Sequence, residues 1–169
     1  KAIDQCDAII ISAEYSLLSR YADNFMPVGE HGSESIFETS AAATNAPVAG
    51  PGSSPFNMIQ GVRGVPNLGW GFNRPSDDLV ADYEPGDPRR QATIIYVGEV
   101  LPDGSTIVED NPEVLNERYN QKAWVPAHPG LQDNGPGNIR ILRYADILLL
   151  AAEAYNEEGN STKALEYLN

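Results

Sequence analysis

Cysteine is nearly absent from this chain. Cys6 stands alone among 169 residues, so no intrachain disulfide can form and the redox compartment stays open. Basic residues are also scarce, 11 against 24 acidic ones, for a formal net charge of −13. That excess disfavours nucleic acid, whose phosphates would be repelled along most of the surface, and electrostatic docking onto anionic lipid. No run of about 18 apolar residues is present to span a bilayer as a helix, and the first residues show no secretory leader pattern. A lipidation role for Cys6 is rejected, because Ile3-Asp4-Gln5 lacks the small residues such a site needs; a small buried hydrophobe is the better reading. Enzyme signatures are missing too. Gly61-Val62-Arg63-Gly64 and Gly69-Trp70-Gly71 lack the helix and lysine of a phosphate loop. His31 and His128 fall in separate loops without metal-ligand spacing. The expectation is therefore no cofactor, no metal and no catalytic residue.

The most informative stretch that is present runs from Ile141 to Asn169. Ile141, Leu142, Ala145, Ile147, Leu148, Leu149, Ala151, Ala152 and Tyr155 predict an apolar helix buried on most sides. Gly159 suits a left-handed helix end, and Ser161 the N-cap of a second helix. Tyr155, Gly159, Ala164 and Leu168 fall at the spacing of a tetratricopeptide-like unit, where a small alanine lets two helices approach closely. Such units need neighbours to cover their apolar faces.

At the other end, Ile3, Cys6, Ile9, Ile10, Ala13 and Leu17 repeat with a helical period over residues 1–18. From Thr39 to Ser76 the character changes: six glycines, five prolines and only Arg63 and Arg74 as charges. Phe56, Met58, Ile59, Val62, Val65, Leu68, Trp70 and Phe72 anchor it, which favours an ordered functional loop over disorder. Ser76 should cap a short helix that carries Asp77 and Asp78 in its first turn and ends at Pro85-Gly86. Ala92–Val100 reads as a strand, turned by Pro102-Asp103-Gly104 into a second around Thr106–Val108. Glu109–Asn138 is again rich in loop residues. The fold class is mainly α: tetratricopeptide-like helical repeats with a loop-rich segment and a small β-hairpin.

Which residues could carry chemistry? Asp77, Asp78, Asp82, Glu84 and Asp87 cluster, and paired carboxylates can serve glycoside hydrolysis. A helix start and a cap before Pro88, with Arg89 and Arg90 near enough to neutralise, account for them better. A calcium loop pattern is missing. Arg143 and Asp146 could pair across a turn and fix the helix in its stack. Aromatics on loops remain. Trp70 and Phe72 lie among glycines, Trp124 among prolines, with Tyr119 nearby. A flat ring on a rigid loop holds a sugar through apolar contact, with Asn, Gln and Arg supplying hydrogen bonds. The alternative for each ring is that it pins its loop to the scaffold. Trp70, Asn73 and Trp124 are the ligand-contact candidates.

Four blocks, in order, carry a family resemblance. They are Lys1–Ser12 with Tyr15-Ser16-Leu17-Leu18, Tyr21-Ala22-Asp23 and Phe25, followed by Glu34-Ser35-Ile36-Phe37-Glu38; Pro75-Ser76-Asp77-Asp78-Leu79-Val80 through Asp82-Tyr83-Glu84 to Gly86-Asp87-Pro88-Arg89-Arg90; the run Ala92–Val97, where the family places a strand; and Arg143-Tyr144-Ala145-Asp146 leading to Ala152-Glu153-Ala154. Together they resemble the SusD/RagB family of outer-membrane nutrient-binding lipoproteins. The family's extreme N- and C-terminal blocks are missing, so the expectation is one partial domain, an internal piece. Its parts would be helix and strand over 1–38, a loop-rich insertion with short helix and hairpin over 39–138, and a helical hairpin over 139–169.

The resemblance implies a non-catalytic protein on the outer surface of the outer membrane. It would touch the membrane only through a lipid anchor outside this chain. Its partners would be a SusC-like TonB-dependent transporter and an oligosaccharide, or in some members a peptide. The alternative is a tetratricopeptide-type scaffold that binds a peptide or partner protein.

Overall fold

The computed structural model describes residues 1–42, 54–63, 69–108, 117–126 and 135–169. Val65, Leu68 and His128 lie outside them. Along the chain run α1 (Ala2–Ser12), β1 (Ser35–Thr39), α2 (Phe56–Gln60), α3 (Asp77–Ala81), α4 (Pro88–Thr93), β2 (Ile94–Tyr96), β3 (Arg118–Asn120), β4 (Ile139–Arg143), α5 (Tyr144–Glu157) and α6 (Ser161–Leu168), joined by short 3₁₀ turns. The fold is mainly α, as the periodicity predicts. Two compact units form: Lys1–Ser19 with Gly29–Thr39 and Arg140–Asn169, and Arg20–Val28 with Ser40–Ile139.

In the first unit, Cys6 is buried against Ile147 and Ala151, with Ile9, Ile10, Ile36, Leu142 and Tyr167 packed around them. Burial pushes the Cys6 thiol pKa up, as expected of a small core hydrophobe. α1 is shorter than its apolar period suggests. The Ser12 hydroxyl donates to the Ile9 carbonyl at 2.7 Å and accepts from the Glu14 N–H, and Ala13 turns left-handed at φ 55°. A serine that bonds its own backbone offers the chain an exit from the helix. Beyond it, Ser16 N–H bonds the Ser33 carbonyl and Leu18 N–H the Glu34 carboxylate.

α5 starts later than the apolar run that contains it. Ile141 and Leu142 lie in β4, which pairs with β1, so they are strand rather than helix. The helix begins where Asp146 can take the Arg143 N–H at 2.8 Å. It also buries one stripe rather than most of its circumference: Ile147, Ala151 and Ala152 are covered, while Leu149 and Leu150 are half exposed. The Arg143 guanidinium pairs with Glu34 at 2.9 Å, not with Asp146. Glu34 thereby serves three segments. Its carboxylate holds Leu18 and Arg143, and its carbonyl accepts the Tyr144 N–H at 2.8 Å.

The turn into α6 follows the expected glycine logic. Gly159 has φ 82°, and the N–H groups of Gly159 and Asn160 return to Asn156 and Tyr155. The N-cap is Asn160, one residue before Ser161; its side chain accepts from Lys163 N–H at 3.1 Å. Ala164 is buried, which lets α6 lie close on α5. Tyr155 then donates to Asp7 of α1 at 2.6 Å.

The core of the second unit is Val62, Ile95, Leu101, Ile107, Tyr119 and Trp124, with Met26 against it. Ser76 caps α3 through Leu79 N–H, and Asp87 caps α4 through Arg89 N–H with Pro88 in the first turn. α3 stops at Ala81, ahead of Pro85-Gly86. The expected hairpin is present in reduced form. Leu101 and Ser105 close the Asp103-Gly104 turn, and Val100 bridges Thr106. Ala92 and Thr93 belong to α4, however, and the strand that follows pairs antiparallel elsewhere, Ile94 with Asn120, Ile95 with Tyr119 and Tyr96 with Arg118. Gly98, at φ 90°, breaks the strand before it can run on into the hairpin.

Glu34 predicts a stability effect. Removing a buried carboxylate from its arginine typically costs about 3–5 kcal/mol, so Glu34→Ala should lower the unfolding free energy by about that much in urea denaturation. A loss below about 1 kcal/mol would show that Glu34 does not hold this unit together.

Candidate functional site

The C-terminal end of α2 exposes carbonyl groups that a helix leaves without partners. Residues 69–72 supply the donors. Gly69 N–H reaches Val62 O at 2.7 Å, Trp70 Met58 O at 2.8 Å, Gly71 Gly61 O at 3.1 Å and Phe72 Ile59 O at 3.0 Å. So close an approach needs glycine. A Cβ on Gly69 would stand 2.6 Å from the Gly61 carbonyl oxygen. One on Gly71, where φ is 69°, would stand 2.8 Å from the Tyr119 ring.

Pinned in this way, the segment turns its large side chains outward. Trp70 is 53% and Phe72 58% exposed, and their rings meet edge to face at 6.1 Å and 85°. Asn73 follows in a left-handed conformation, φ 55°, and donates its amide to Gln60 Oε1 at 2.8 Å. The same Gln60 oxygen accepts from Asn120 Nδ2 at 3.1 Å. Beside them Arg74, Pro75, Glu117 and Arg118 line a polar recess of about 280 Å³. Arg118 donates to the Pro75 carbonyl at 2.9 Å and pairs with Asp77, and its hydrogen bond to Asp77 raises its pKa above the ordinary arginine range. An apolar edge, neutral amides and a polar recess thus follow one another over residues 70–75.

Two of the three sequence candidates, Trp70 and Asn73, stand three residues apart on this surface. Trp124 does not join them. It is 3% exposed, packed in the core with Val62 and Tyr119, and so offers no ring face to a ligand. Tyr119 is wholly buried as well. The proline-rich surroundings of Trp124 point to a loop, but its ring belongs to the buried cluster with Val62, Ile95, Leu101, Ile107 and Tyr119. Phe72, Gln60 and Asn120 are the residues that sequence reasoning leaves out of the site. The alternation Gly69-Trp70-Gly71-Phe72 is the signal that could have found Phe72: two small residues facing in and two aromatics facing out.

Two residues of the acidic cluster are engaged in architecture. Asp77 holds Arg118, and Asp87 holds the Arg89 backbone and guanidinium, whose hydrogen bonds lower the Asp87 pKa below the usual carboxylate range. His31 is an exposed loop residue 3.0 Å from Glu38.

The model of the SusD family matches residues 33–169. SusD-like protein P2 of Formosa agariphila is 28% identical over 136 residues, covering 72% of this chain and 26% of that protein. Surface glycan-binding protein A from Bacteroides thetaiotaomicron, solved in complex with laminarihexaose, superposes with a TM-score of 0.79 at 26% identity, covering 99% of this chain and 40% of that one. Surface glycan-binding protein A from Bacteroides uniformis gives 0.66, also at 26% identity, over 99% of this chain and 35% of that one. The chain therefore spans well under half the length of these relatives.

The two tryptophans should separate cleanly on mutation. Trp124→Ala should cost about 3–5 kcal/mol of stability, as large core truncations do, and Trp70→Ala under about 1 kcal/mol. Gly71→Ala should destabilise by more than about 1 kcal/mol through its positive φ and the Tyr119 clash. Chemical denaturation of the three variants is the check; equal losses at both tryptophans would refute the assignment of one to the core and one to the surface.

Proposed function

The chain belongs to the SusD family, and from that premise we propose that it takes part in non-catalytic capture of an oligosaccharide at the cell surface and its delivery to a SusC-like TonB-dependent transporter. The observation that carries this reading is the outward-held pair Trp70 and Phe72, with Asn73 at its end. A pyranose has apolar faces of C–H bonds and an edge of hydroxyls, so it asks for a flat apolar surface beside neutral hydrogen-bonding groups. Both stand here on a segment locked by backbone hydrogen bonds, so little ordering is needed on binding. The relative from Bacteroides thetaiotaomicron solved with laminarihexaose supports the ligand class.

Capture here ends in release of the intact ligand. Within the acidic cluster, Asp77 and Asp87 are committed to Arg118 and Arg89. In this reading the protein sits on the outer face of the outer membrane, held by a lipid anchor that lies outside these residues.

One observation favours a second reading, a tetratricopeptide-type scaffold for a peptide or partner protein. A groove of about 710 Å³ between α1 and α5 has Ile3, Cys6, Ile9, Ile147 and Leu150 in its lining and Glu153 and Glu157 with them. A peptide seated there would be indifferent to Trp70.

The test is isothermal titration of the full-length protein against a panel of neutral oligosaccharides, with product release assayed in parallel. Covering about 60 Å² of one indole face contributes roughly 1.5 kcal/mol, so Trp70→Ala should weaken binding about tenfold. Product release from any panel glycan would overturn the capture reading. Glycan binding untouched by Trp70→Ala would move the ligand away from this surface.

A further inference from the structure

We propose that Gln60 sets the hydroxyl specificity of the Trp70–Phe72 surface, donating from Nε2 to a ring hydroxyl of a neutral sugar while its Oε1 holds Asn73 and Asn120 in place. This rests on the oligosaccharide reading and goes on to name the group that reads the sugar.

Gln60 is the last residue of α2, half buried, and its backbone position is set by the hydrogen bonds that dock residues 69–72 onto the helix end. Its Oε1 accepts from Asn73 Nδ2 at 2.8 Å and from Asn120 Nδ2 at 3.1 Å. A carbonyl oxygen has two lone pairs, so this acceptor is fully used. Because an amide is planar, saturating the oxygen also fixes the direction in which Nε2 presents its two N–H bonds. Neither Gln60 Nε2 nor Asn73 Oδ1 has a partner among the described residues.

A donor group, Gln60 Nε2, and an acceptor atom, Asn73 Oδ1, therefore remain on two side chains already bonded to each other. A sugar hydroxyl both donates and accepts, and adjacent hydroxyls on a ring can meet such a pair together. The three amides carry no charge. In the adjoining recess, which Arg74 also lines, the Arg118 guanidinium is engaged by Asp77 and Glu117. The class that fits is a neutral oligosaccharide bearing free adjacent hydroxyls. A site that bonds a hydroxyl discriminates strongly against the analogue that lacks it, because its own polar groups are then left unpaired.

The decisive substitution is Gln60→Glu. A carboxylate at pH 7 still accepts from Asn73 and Asn120 but cannot donate, so the surface should keep its shape, and a hydroxyl that accepted from Nε2 must turn its own O–H to the carboxylate and give up the acceptor it served before, a net loss of one hydrogen bond. The probe is the tightest-binding neutral oligosaccharide of the panel, with its monodeoxy analogues, titrated into the full-length wild type, Gln60→Glu and Trp70→Ala. Gln60→Glu should bind about tenfold more weakly, the upper end for one neutral hydrogen bond, with an unchanged Tm. One monodeoxy analogue should lose the same factor against the wild type and bind both proteins alike.

If Trp70→Ala weakens binding and Gln60→Glu does not, this inference falls and the capture reading stands. If both variants bind like the wild type, this inference falls and the ligand sits away from the Trp70–Phe72 surface; if no neutral glycan binds at all, the capture reading falls as well. Should Gln60→Glu lower Tm, the wild type against the monodeoxy series decides alone: equal affinity for every analogue overturns the proposal.

Discussion

The second unit depends on how one short helix ends. α2 has five residues, too few to be stable by itself, and its last carbonyls would be costly to bury without donors. The N–H groups of Trp70 and Phe72 take the Met58 and Ile59 carbonyls, and those of Gly69 and Gly71 take Val62 and Gly61 just beyond the helix. Everything notable about the surface follows from this docking. The glycines are required because the backbone comes within van der Waals contact of Gly61 and Tyr119. The aromatics point outward because their neighbours have taken the inward positions. Gln60 is oriented because it closes the same helix. A local requirement of hydrogen bonding has become a rigid display of two rings and an amide.

The first unit solves a different problem with a buried charge. Glu34 joins the segment after α1, the start of β1 and the start of α5, and Arg143 is its counter-ion. An ion pair of this kind adds little net stability over apolar packing, because both charges were desolvated to form it. Its contribution is registry: only one arrangement of the three segments satisfies both carboxylate oxygens. That explains why Arg143 is better regarded as the anchor of β4 and α5 than as a partner for Asp146, which is occupied at the helix start.

How much of this could be read from the chain depends on how local the cause is. Ser76, Asp87 and Gly159 act within one turn of themselves, and their positions as caps or helix end are legible from residue type and spacing. Ile141 and Leu142 read as helix because a continuous apolar run satisfies strand and helix periods alike, and the choice falls to β1, more than a hundred residues away. The partner of Ile94–Tyr96 escaped for the same reason, since β3 is non-local. Trp70 and Trp124 are equally aromatic and equally set among loop residues. Which one is core is decided by residues distant in sequence, among them Val62, Ile95 and Ile107, that share a buried cluster with Trp124, and nothing within a few residues of either ring records that.

The surface charge then bears on what the exposed rings can hold. A chain with a formal charge of −13 repels anionic ligands at a distance, and steering by charge is of no help to a neutral sugar. Selection must therefore come from contact, through shape, apolar area and correctly placed neutral donors and acceptors. Such contacts are individually weak, so they discriminate only when held rigid before the ligand arrives. The docked segment 69–73 supplies that rigidity from backbone hydrogen bonds rather than from a large core beneath the rings. This leaves the side chains free to vary, because exchanging Trp70, Phe72 or Asn73 for other residues would alter what the surface offers a ligand while the glycines and carbonyls that hold the segment remain in place.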